Sequence, residues 1–576
     1  TPMLCSKILR VKKRHGRLYN ALERGFVGLA NGYVAALRFA VRRRWIVFAA
    51  AAVAVAAAAG MFLALEREFV PAEDRDSFLV FMVAPEGSTL EYTADYLSEV
   101  EAVIQRVPEV EAAFTVVGFG GNVASGIGFV RLAPSDERER GVDEILSEIR
   151  PQLFMIPGLF AFATNPPAIQ TDFRSSPVGF VVRNPDFDSL TAAMDRLTAR
   201  ARSIPGLINV DTNLRVNKPE LSVEFERDRA EDLGVSVGDV AATLQTMLGG
   251  RRVSTFTREN KQYDVVVRLE DEERATPSDM RGIQVRGRDG ELVQLAALAR
   301  VEEGVGPTQL NHYDRVRSFT LSAGVQPGFA LGSALDSLYA AADQLLPPGS
   351  DIALSGESRE LEESGNALYF AFGLAILIVF LVLAAQFESL VHPFTVLLAV
   401  PLAVTGALAT LLLAGSTLNL YSQIGMILLI GIVTKNSILL VEYANQLRES
   451  GREIVEAMVQ AGRIRLRPIL MTAVATIAGA MPIALGLGSG SQSRRPLGYA
   501  IVGGLTFSTL LTLFLVPVVW ILFEKLRERR RARASRRERA PGNLAPAGAG
   551  GSGGTFPLSE GPSRTVGEPG DDEVGR

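Results

Sequence analysis

The sequence contains few of the residues that hold metals, disulfides or phosphates. It has one cysteine, Cys5, and three histidines, which excludes an internal disulfide framework and argues against a Cys/His zinc site. It also lacks the GxxxxGK[ST] phosphate-binding loop, so a Walker-type nucleotide site is not expected. The net charge is only −4, which gives no reason to expect a nucleic-acid partner. These absences predict a protein that is not an enzyme and needs no cofactor.

Apolar residues, in contrast, are abundant and are concentrated in blocks. Of the 576 residues, 48% are hydrophobic, and the mean hydropathy of +0.20 is high for a soluble protein. Blocks of about 20 apolar residues are long enough to cross a bilayer. The sequence therefore predicts six membrane-spanning helices, at 45–65, 366–386, 393–413, 418–443, 468–488 and 498–523.

Basic residues predict how these spans are oriented. Arginines occupy 42–44 directly before the first span, and we interpret 446–467 as a basic loop; a further basic run follows the last span. Lysine and arginine concentrate on the cytoplasmic side, so these segments are expected there. Counting the crossings gives the same result. The segment 66–363, which holds no span, is then expected on the outer, periplasmic side.

The two ends of the chain differ from its centre. The chain has no initiator methionine and no signal peptide, and we interpret it as a piece of something longer. Residues 6–44 are basic, and Leu18, Leu22, Phe26 and Leu29 are spaced as in an amphipathic helix on a membrane surface. The tail, 524–576, is basic and expected to be disordered. Its arginines either bind anionic lipid head groups or act as a topology signal.

The outer segment repeats one order of elements. Strand-like FLVFMVAP (78–85) precedes a helical pattern and two more strand-like runs, and the order recurs from VGFVVRN (178–184) and from SFTLSAGV (318–325). Repeated β-α-β units with antiparallel return strands predict ferredoxin-like α+β subdomains. An inserted segment with hairpin-like alternation predicts a projecting interaction element. The expected fold class is thus an α-helical membrane protein with an α+β periplasmic domain.

Lys435 stands out because it lies well inside an apolar run, YSQIGMILLIGIVTKNSILLVEYAN. A cation in a membrane helix costs several kcal/mol unless it faces a partner or water. Snorkelling to the interface is the simpler explanation, but eight residues separate Lys435 from the next polar cluster. No acidic residue lies near mid-membrane in the five late spans. Either another polypeptide segment supplies a carboxylate, which we favour, or the lysine is neutral.

Other residues have a structural and a functional interpretation. The hydroxyl of Thr472, one turn into its span, bonds either to its own helix backbone or to a relay partner. The outer segment has five phenylalanines that could be ordinary core. Phe119 lies in a glycine-rich loop, however, and Phe160 and Phe162 flank a run that we interpret as irregular, GLFAFATNPPA. Aromatic residues on loops favour an adaptable apolar pocket over a packed core. The five phenylalanines are Phe114, Phe119, Phe129, Phe160 and Phe162.

Several motifs together resemble one transporter family. They are APEGSTLE, VPEVEAAFTVVGFG, RDRAEDLGVSVGDVAATLQTMLGG, GESRE, VLAAQFESL, VPLAVTGAL, GIVTKNSILLVE and RLRPILMT. These resemble the resistance-nodulation-division (RND) efflux pumps, and most closely the hydrophobe/amphiphile exporters of Gram-negative bacteria. The resemblance runs through residues 1–525 and is to the C-terminal half, with TPMLC similar to the end of a preceding span.

The resemblance implies an organisation and an assembly. The implied activity is proton-driven export (drug/proton antiport) by a homotrimer in the inner membrane, with a periplasmic adaptor and an outer-membrane channel as partners. The N-terminal half, with an intramembrane aspartate pair, is the implied missing partner. The implied segments are the chain start with its surface helix (1–44), a span (45–65), a first porter subdomain (66–167), a second (168–227 with 309–360), a docking insert (228–308), five spans (366–523) and the tail (524–576).

The resemblance also assigns roles to residues. A proton relay would consist of Lys435, Thr472, Asn436 and Arg465. A drug pocket would use the five phenylalanines named above, and a switch loop at 118–128 would include Gly118, Gly120 and Gly121. That loop is short and lacks a second phenylalanine. Two alternatives remain: a heavy-metal exporter of the same superfamily, although Met82, Met155, Met194, Met247 and Met280 are scattered, and a membrane receptor or assembly subunit that no longer transports.

Overall fold

The computed structural model describes residues 17–538, apart from 72, 167–168, 170–175, 289, 327 and 489–490. The residues that resemble the end of a preceding span lie outside this part. The chain divides into two compact units, Thr1–Leu522 and Phe523–Arg576. The last helix continues to Glu538, so the prediction that disorder begins at 524 is wrong over 524–538, where glutamate, lysine, leucine and arginine favour a helix. The rest of the predicted tail is outside the described residues.

Two helices open the described chain. Helix α1 is Arg17–Arg42, and helix α2, the first span, is Arg44–Ala64. The predicted amphipathic helix is therefore present, and its buried side chains include Tyr33 and Leu37, whereas Leu29 is half exposed. The Tyr33 hydroxyl donates to the carbonyl of Leu513 at 2.8 Å. Helix α1 is thus held against the membrane helices as well as facing outward.

The first sheet shows the predicted ferredoxin-like order of elements. It comprises β1 (Ser77–Val83), α3 (Leu90–Ile104), β2 (Val110–Val117), β3 (Ser125–Leu132), α4 (Val142–Phe154) and β4 (Phe160–Thr164). The strands are ordered β2-β3-β1-β4, and every pairing is antiparallel. Alternate residues of β1, such as Phe78, Val80 and Met82, are buried in one core with residues of α3 and α4. The other face of this sheet is free of its own helices.

The remaining outer elements follow in chain order. They are β5 (Val178–Arg183), α5 (Phe187–Ala201), β6 (Leu207–Thr212), β7 (Lys218–Phe225), α6 (Arg227–Asp232), α7 (Val237–Leu244), β8 (Arg251–Arg258), β9 (Lys261–Val267), α8 (Pro277–Gly282), β10 (Gln284–Arg286), β11 (Leu292–Gln294), β12 (Ala299–Gly306), β13 (Asn311–Tyr313), β14 (Val316–Val325), α9 (Leu331–Leu345) and β15 (Asp351–Leu354).

The second sheet repeats the topology of the first. Its order is β13-β14-β5-β15, with β6 also paired to β14. Leaving out β13, the order β6-β14-β5-β15 corresponds to β2-β3-β1-β4 of the first sheet. Helices α5 and α9 are the two crossover helices. The central strand β5, VGFVVR, is buried along almost its whole length. Strand β7, which falls within the implied second subdomain, pairs instead with β12 of the implied insert.

The insert carries the predicted hairpin. Strands β8 and β9 pair from Arg251 and Val267 to the turn, where Glu259 and Asn260 both have positive φ. Two left-handed residues make the tight turn whose twist suits a two-residue hairpin. Every residue of β8 is exposed, which agrees with a projecting element.

The membrane region contains α10 (Gly356–Phe387), α11 (Val391–Leu397), α12 (Ala399–Leu413), α13 (Leu420–Glu449), α14 (Ile454–Leu485) and α15 (Arg495–Glu538). With α2, and with α11 and α12 as one span, six helices of the described chain are long and apolar enough to cross a membrane. The predicted fold class is thereby confirmed. The interpretation of 446–467 as a loop is wrong, because only 450–453 separate α13 from α14. Ala457, Met458 and Ala461 are buried, and the last two pack in one core with α1.

Candidate functional site

Lys435 lies at the middle of α13. The helix begins with a capping box in which the Asn419 side chain accepts from the Ser422 amide at 3.0 Å and Ser422 Oγ accepts from the Asn419 amide at 2.9 Å. Such a cap satisfies two amides that would otherwise lack partners. From Leu420, the helix reaches Lys435 after about 22 Å at 1.5 Å per residue. The lysine is therefore far from both ends of a 30-residue helix.

Within the part of the chain that the structure describes, one face of α13 is uncovered, and Lys435 belongs to it. Ile424, Leu428, Gly431 and Lys435 are all exposed, and their spacing of four, three and four residues places them on one side of the helix. Residues on the opposite side, such as Val433, are buried against neighbouring helices. Within the described residues, Lys435 has neither an ion pair nor a hydrogen bond. Lipid can cover the apolar residues of this face but cannot satisfy an ammonium group.

Two predicted relay residues, Asn436 on α13 and Thr472 on α14, form no hydrogen bond with the lysine within the described residues. The Thr472 hydroxyl donates to the carbonyl of Ile469 at 3.0 Å, so it is satisfied within its own helix. Asn436 is buried beside Lys435. Ser437 Oγ is also buried, and it has no hydrogen-bond partner among the described residues. Polar groups that can bond to a moving ammonium are therefore present on α13 itself.

The fourth predicted relay residue, Arg465, lies in the first half of α14. Its guanidinium carbon is 4.7 Å from the ring centroid of Tyr443, a contact that attaches α14 to α13 by a cation–π interaction. Arg465 Nε is buried and, in the part of the chain that the structure describes, has no hydrogen-bond partner. The arginine thus has a buried donor in the part of α14 that precedes Thr472.

The free face of the first sheet is aromatic. The strand register aligns Phe81 with Phe162, and Phe114 with Phe129. Ring centroids are 5.4 Å apart for Phe81 and Phe162, 5.7 Å for Phe160 and Phe162, and 6.3 Å for Phe114 and Phe129. These are ordinary distances for paired aromatic rings. Because side chains alternate along a strand, all five rings occupy the face opposite α3 and α4.

Two cavities adjoin this aromatic face. One of about 300 Å³ is lined by Phe81, Phe119 and Phe162 on one side and by polar groups of β6, including Asp211, on the other. A larger one, of about 860 Å³, is lined by residues that include Phe154 and Phe160. Both lie between the first and second sheets. Apolar walls with a few polar groups are typical of small-molecule sites.

The predicted pocket residues are only partly brought together. Phe119 and Phe162 share one cavity and Phe160 lines the other, whereas Phe114 and Phe129 line neither. Phe114 is 65% exposed. The expectation that Phe160 and Phe162 flank an irregular run is wrong, since both lie in β4. Sequence reasoning missed Phe81 and Phe154; the apolar alternation of β1 was the signal for Phe81.

The predicted switch loop is a compact turn. Gly118 and Gly121 have φ of 77° and 84°, and Phe119–Gly121, which includes Gly120, forms a short 3-10 turn. Ser125 Oγ donates to the carbonyls of Phe119, at 3.1 Å, and Asn122, at 2.9 Å. Residues 125–128 of the predicted loop belong to β3. The two glycines with positive φ therefore make the turn that places Phe119 at the cavity wall.

Comparison with known proteins agrees with this architecture. The sequence pattern of the AcrB/AcrD/AcrF family matches residues 1–524. The chain is also similar to a protein of Haemophilus influenzae named "Uncharacterized transporter", with 30% identity over 528 residues. That alignment covers 90% of this chain and 51% of the relative, so the chain spans about half the length of the curated relative it matches. The chain is a multi-pass membrane protein that belongs to the AcrB/AcrD/AcrF family of RND transporters.

Proposed function

We propose that this chain is one half of a proton-driven exporter of hydrophobic or amphiphilic compounds in the inner membrane of a Gram-negative bacterium. The observation that carries the proposal is Lys435, a cation at the middle of a membrane helix, on a face that the described chain leaves uncovered. Ionisable groups at such depth mark ion pathways more often than structural contacts. Membership of a transporter family supports the same conclusion.

The proton step needs carboxylates that a complementary half would supply. In this proposal an aspartate pair of that half packs on the open face of α13. When both aspartates are charged, the Lys435 ammonium bridges them. When they bind protons, the ammonium turns toward Asn436 and Thr472, and α13 shifts against its neighbours. A membrane potential contributes about 2.3 kcal/mol per charge per 100 mV, enough to bias such a cycle.

The substrate step belongs to the aromatic cavities. Apolar rings from Phe81, Phe119 and Phe162 offer contact area, and the polar groups of β6 orient a ligand. The turn at Gly118 and Gly121 is proposed to move Phe119 as the two sheets open and close. A cavity of about 860 Å³ next to it has room for a drug-sized molecule.

The proposed assembly is a homotrimer with a periplasmic adaptor and an outer-membrane channel. The support within this chain is the β8–β9 hairpin, whose residues are almost all exposed. Phe256 and Tyr263 stack on it with ring centroids 5.4 Å apart, although both are about half exposed. Exposed aromatic pairs of this kind are enriched where proteins dock.

The heavy-metal alternative receives no support from the methionines. Met82, Met194 and Met280 belong to three separate hydrophobic cores. Met155 is exposed and Met247 packs at the edge of the third of these cores. Soft-metal sites need several thioethers around one point, so the observations favour export of organic compounds.

The test is Lys435→Met in cells that make the chain with its complementary half. Because methionine keeps the length but removes the charge, ethidium export is expected to fall to the background rate while the protein still folds. Leu428→Met, on the same open face, should export at the normal rate. Trp520 donates to Asn445 Oδ1 at 3.0 Å, and its fluorescence reports folding of both variants. Normal ethidium export by a well-folded Lys435→Met protein would refute the proposal.

A further inference from the structure

Two arginines in the first half of α14 stack on aromatic rings, but only one of them also has a carboxylate partner. Arg467 forms an ion pair with Glu23 of α1 at 2.9 Å, and its guanidinium carbon lies 5.0 Å from the ring centroid of Phe26. The guanidinium carbon of Arg465 lies 4.7 Å from the ring centroid of Tyr443 on α13. Among the described residues, Arg465 forms no ion pair and its side chain donates no hydrogen bond.

An aromatic ring holds a guanidinium without using its hydrogen-bond donors. The ring attracts the cation through the negative charge of its π face, whereas a carboxylate would accept from the N–H groups and neutralise the charge. The donors of arginine lie at the edge of its plane, so they stay available when a ring covers that plane. Arg465 Nε is buried without a hydrogen-bond partner in the described part of the chain. The contact with Tyr443 therefore leaves the cation charged and its donors unused.

The carboxylate next to Tyr443 in the sequence does not neutralise this cation. Glu442 Oε1 accepts from Gln446 Nε2 at 3.0 Å, along its own helix. Within the described residues, Glu442 forms no ion pair with Arg465. The contact between α13 and α14 is thus made by the ring and not by the neighbouring acid.

Tyr443 is itself held in place. It packs against the core that α13 shares with α14 and α15. Two residues further on, Asn445 Oδ1 accepts from Trp520 Nε1 at 3.0 Å, and Trp520 is fully buried. This bond attaches the same part of α13 to α15. The ring that holds Arg465 is therefore carried by a helix segment fixed to two neighbouring helices.

The register of α13 and α14 relates this contact to two predicted relay residues. Only 450–453 separate the helices, so they run side by side in opposite directions. Asn436 precedes Tyr443 by seven residues, and Thr472 follows Arg465 by seven. Seven residues are about two turns and about 10 Å of helix, so Asn436 and Thr472 lie at one level. The contact lies about 10 Å from that level, toward the 450–453 connection.

We propose that Tyr443 is a positioning residue of the proton step. Its ring holds the Arg465 guanidinium between α13 and α14, with the N–H donors free for the oxygen atoms through which a proton leaves toward the cytoplasm. A cation fixed at this place disfavours protonated groups beside it, so it assists release of the proton. This rests on the proposed function, because it adds a residue to the relay of Lys435, Asn436, Thr472 and Arg465.

The test changes the electrostatics of the ring and keeps its shape. In cells that make the chain with its complementary half, position 443 carries phenylalanine, difluorophenylalanine or trifluorophenylalanine, the last two introduced by stop-codon suppression. Fluorine withdraws charge from the π face and weakens its attraction for a cation. Tyr443→Phe should export ethidium at close to the normal rate. The rate should fall with each fluorinated ring, at least about fivefold for the trifluorinated one. Tyr443→Leu, which has no π face, should be at least as slow.

The matched control is the same series of rings at Phe26, because Arg467 keeps its ion pair with Glu23 there. The rate should change less than about twofold in that series. Trp520 fluorescence reports folding of each variant. Equal rates for the three rings at position 443 would overturn the proposal, since a ring that serves only for packing is insensitive to this change of charge.

Lys435→Met, assayed beside this series, separates the two proposals. If Lys435→Met has lost export and the fluorinated rings at position 443 have not slowed it, the role of Tyr443 is wrong and the proton step stands. If Lys435→Met exports at the normal rate, the proton step fails and the role of Tyr443 fails with it.

Discussion

Arg138 and Lys435 are both cations removed from water, but only one has its counter-charges in the described chain. The Arg138 side chain is 2% exposed and pairs with Asp74 and, at 2.9 Å, with Asp76. Asp74 also accepts from the Val142 amide at the start of α4. This buried network joins the start of β1 to a helix end, so its role is structural. Lys435 has no such network, which is why a transport role is proposed for it alone.

Removing the Arg138 charge should destabilise the first sheet. Arg138→Met leaves two acidic side chains without their cation, and breaking a buried ion pair in this way costs about 3–5 kcal/mol. The matched control is Arg131→Met, whose side chain is 70% exposed beside Glu111 and should cost less than about 1 kcal/mol. Thermal unfolding of the purified protein measures both. Equal shifts of the two midpoints would contradict this account.

Single residues show where sequence reasoning was sufficient and where it was not. A lysine inside an apolar run can be recognised from the sequence alone, because a charge in a membrane helix is costly whatever the rest of the fold. The cavity lining was harder to predict. Phe81 lies in a strand far from Phe162 in sequence, and only the register of β1 with β4 brings the rings together. The sequence leaves two interpretations open for the Thr472 hydroxyl, and the bond to the Ile469 carbonyl agrees with the one in which it pairs with its own helix backbone.

Helix packing in the membrane depends on glycines that allow close approach. Gly406 of α12 and Gly503 of α15 face each other, since a Cβ built on Gly406 would lie 2.6 Å from the Gly503 carbonyl. A Cβ on Gly503 would lie 2.7 Å from the Gly406 carbonyl. A Cβ and a carbonyl oxygen do not normally approach so closely, so neither position accepts alanine without a shift of one helix. Small residues at such contacts are how membrane helices pack tightly.

Alanine should therefore have different effects at two helical glycines. Gly503→Ala forces α12 and α15 apart, and we expect a clear fall in the unfolding midpoint followed by Trp520 fluorescence. Gly479, in α14, has nothing within 4 Å of a built Cβ. There alanine gains up to about 1 kcal/mol of helix propensity, so Gly479→Ala should be neutral or slightly stabilising. A midpoint unchanged by Gly503→Ala would show that this contact is looser than described.

Element boundaries were the weakest part of the sequence prediction, for physical reasons. Glycine and proline on both sides of FAFAT concealed the two-residue alternation of β4, in which Ala161 and Ala163 are buried. Arginines in 446–467 suggested a loop, but long basic side chains can project from a helix whose small residues pack. The six spans were easier, since twenty apolar residues in succession have few alternative structures.

At the scale of the whole molecule, two sheets of the same topology lie in sequence between the first span and the other five. The chain leaves the membrane after α2 and returns at α10, so both sheets and the hairpin are on one side of the bilayer if α2 crosses it. Three spans, α10, α11 with α12, and α13, lie between the sheets and the connection at 450–453, so this connection is on the opposite side of the membrane if all three cross it. The basic residues of α1 and of the start of α14 predict that the sheets are periplasmic.

Cysteine accessibility tests this orientation with two arginines replaced in the same way. In a Cys5→Ser background, Arg258→Cys lies on the exposed hairpin strand β8, and Arg452→Cys lies between α13 and α14. Three spans separate these positions: α10, α11 with α12, and α13. Since three is odd, the two cysteines must face opposite sides of the membrane.

A membrane-impermeant maleimide should label Arg258→Cys in cells whose outer membrane alone is permeabilised, and Arg452→Cys only after the inner membrane is broken. Labelling of both cysteines from one side would mean that one of the three helices does not cross, and the reverse pattern would place the Lys435 relay in a protein of opposite orientation.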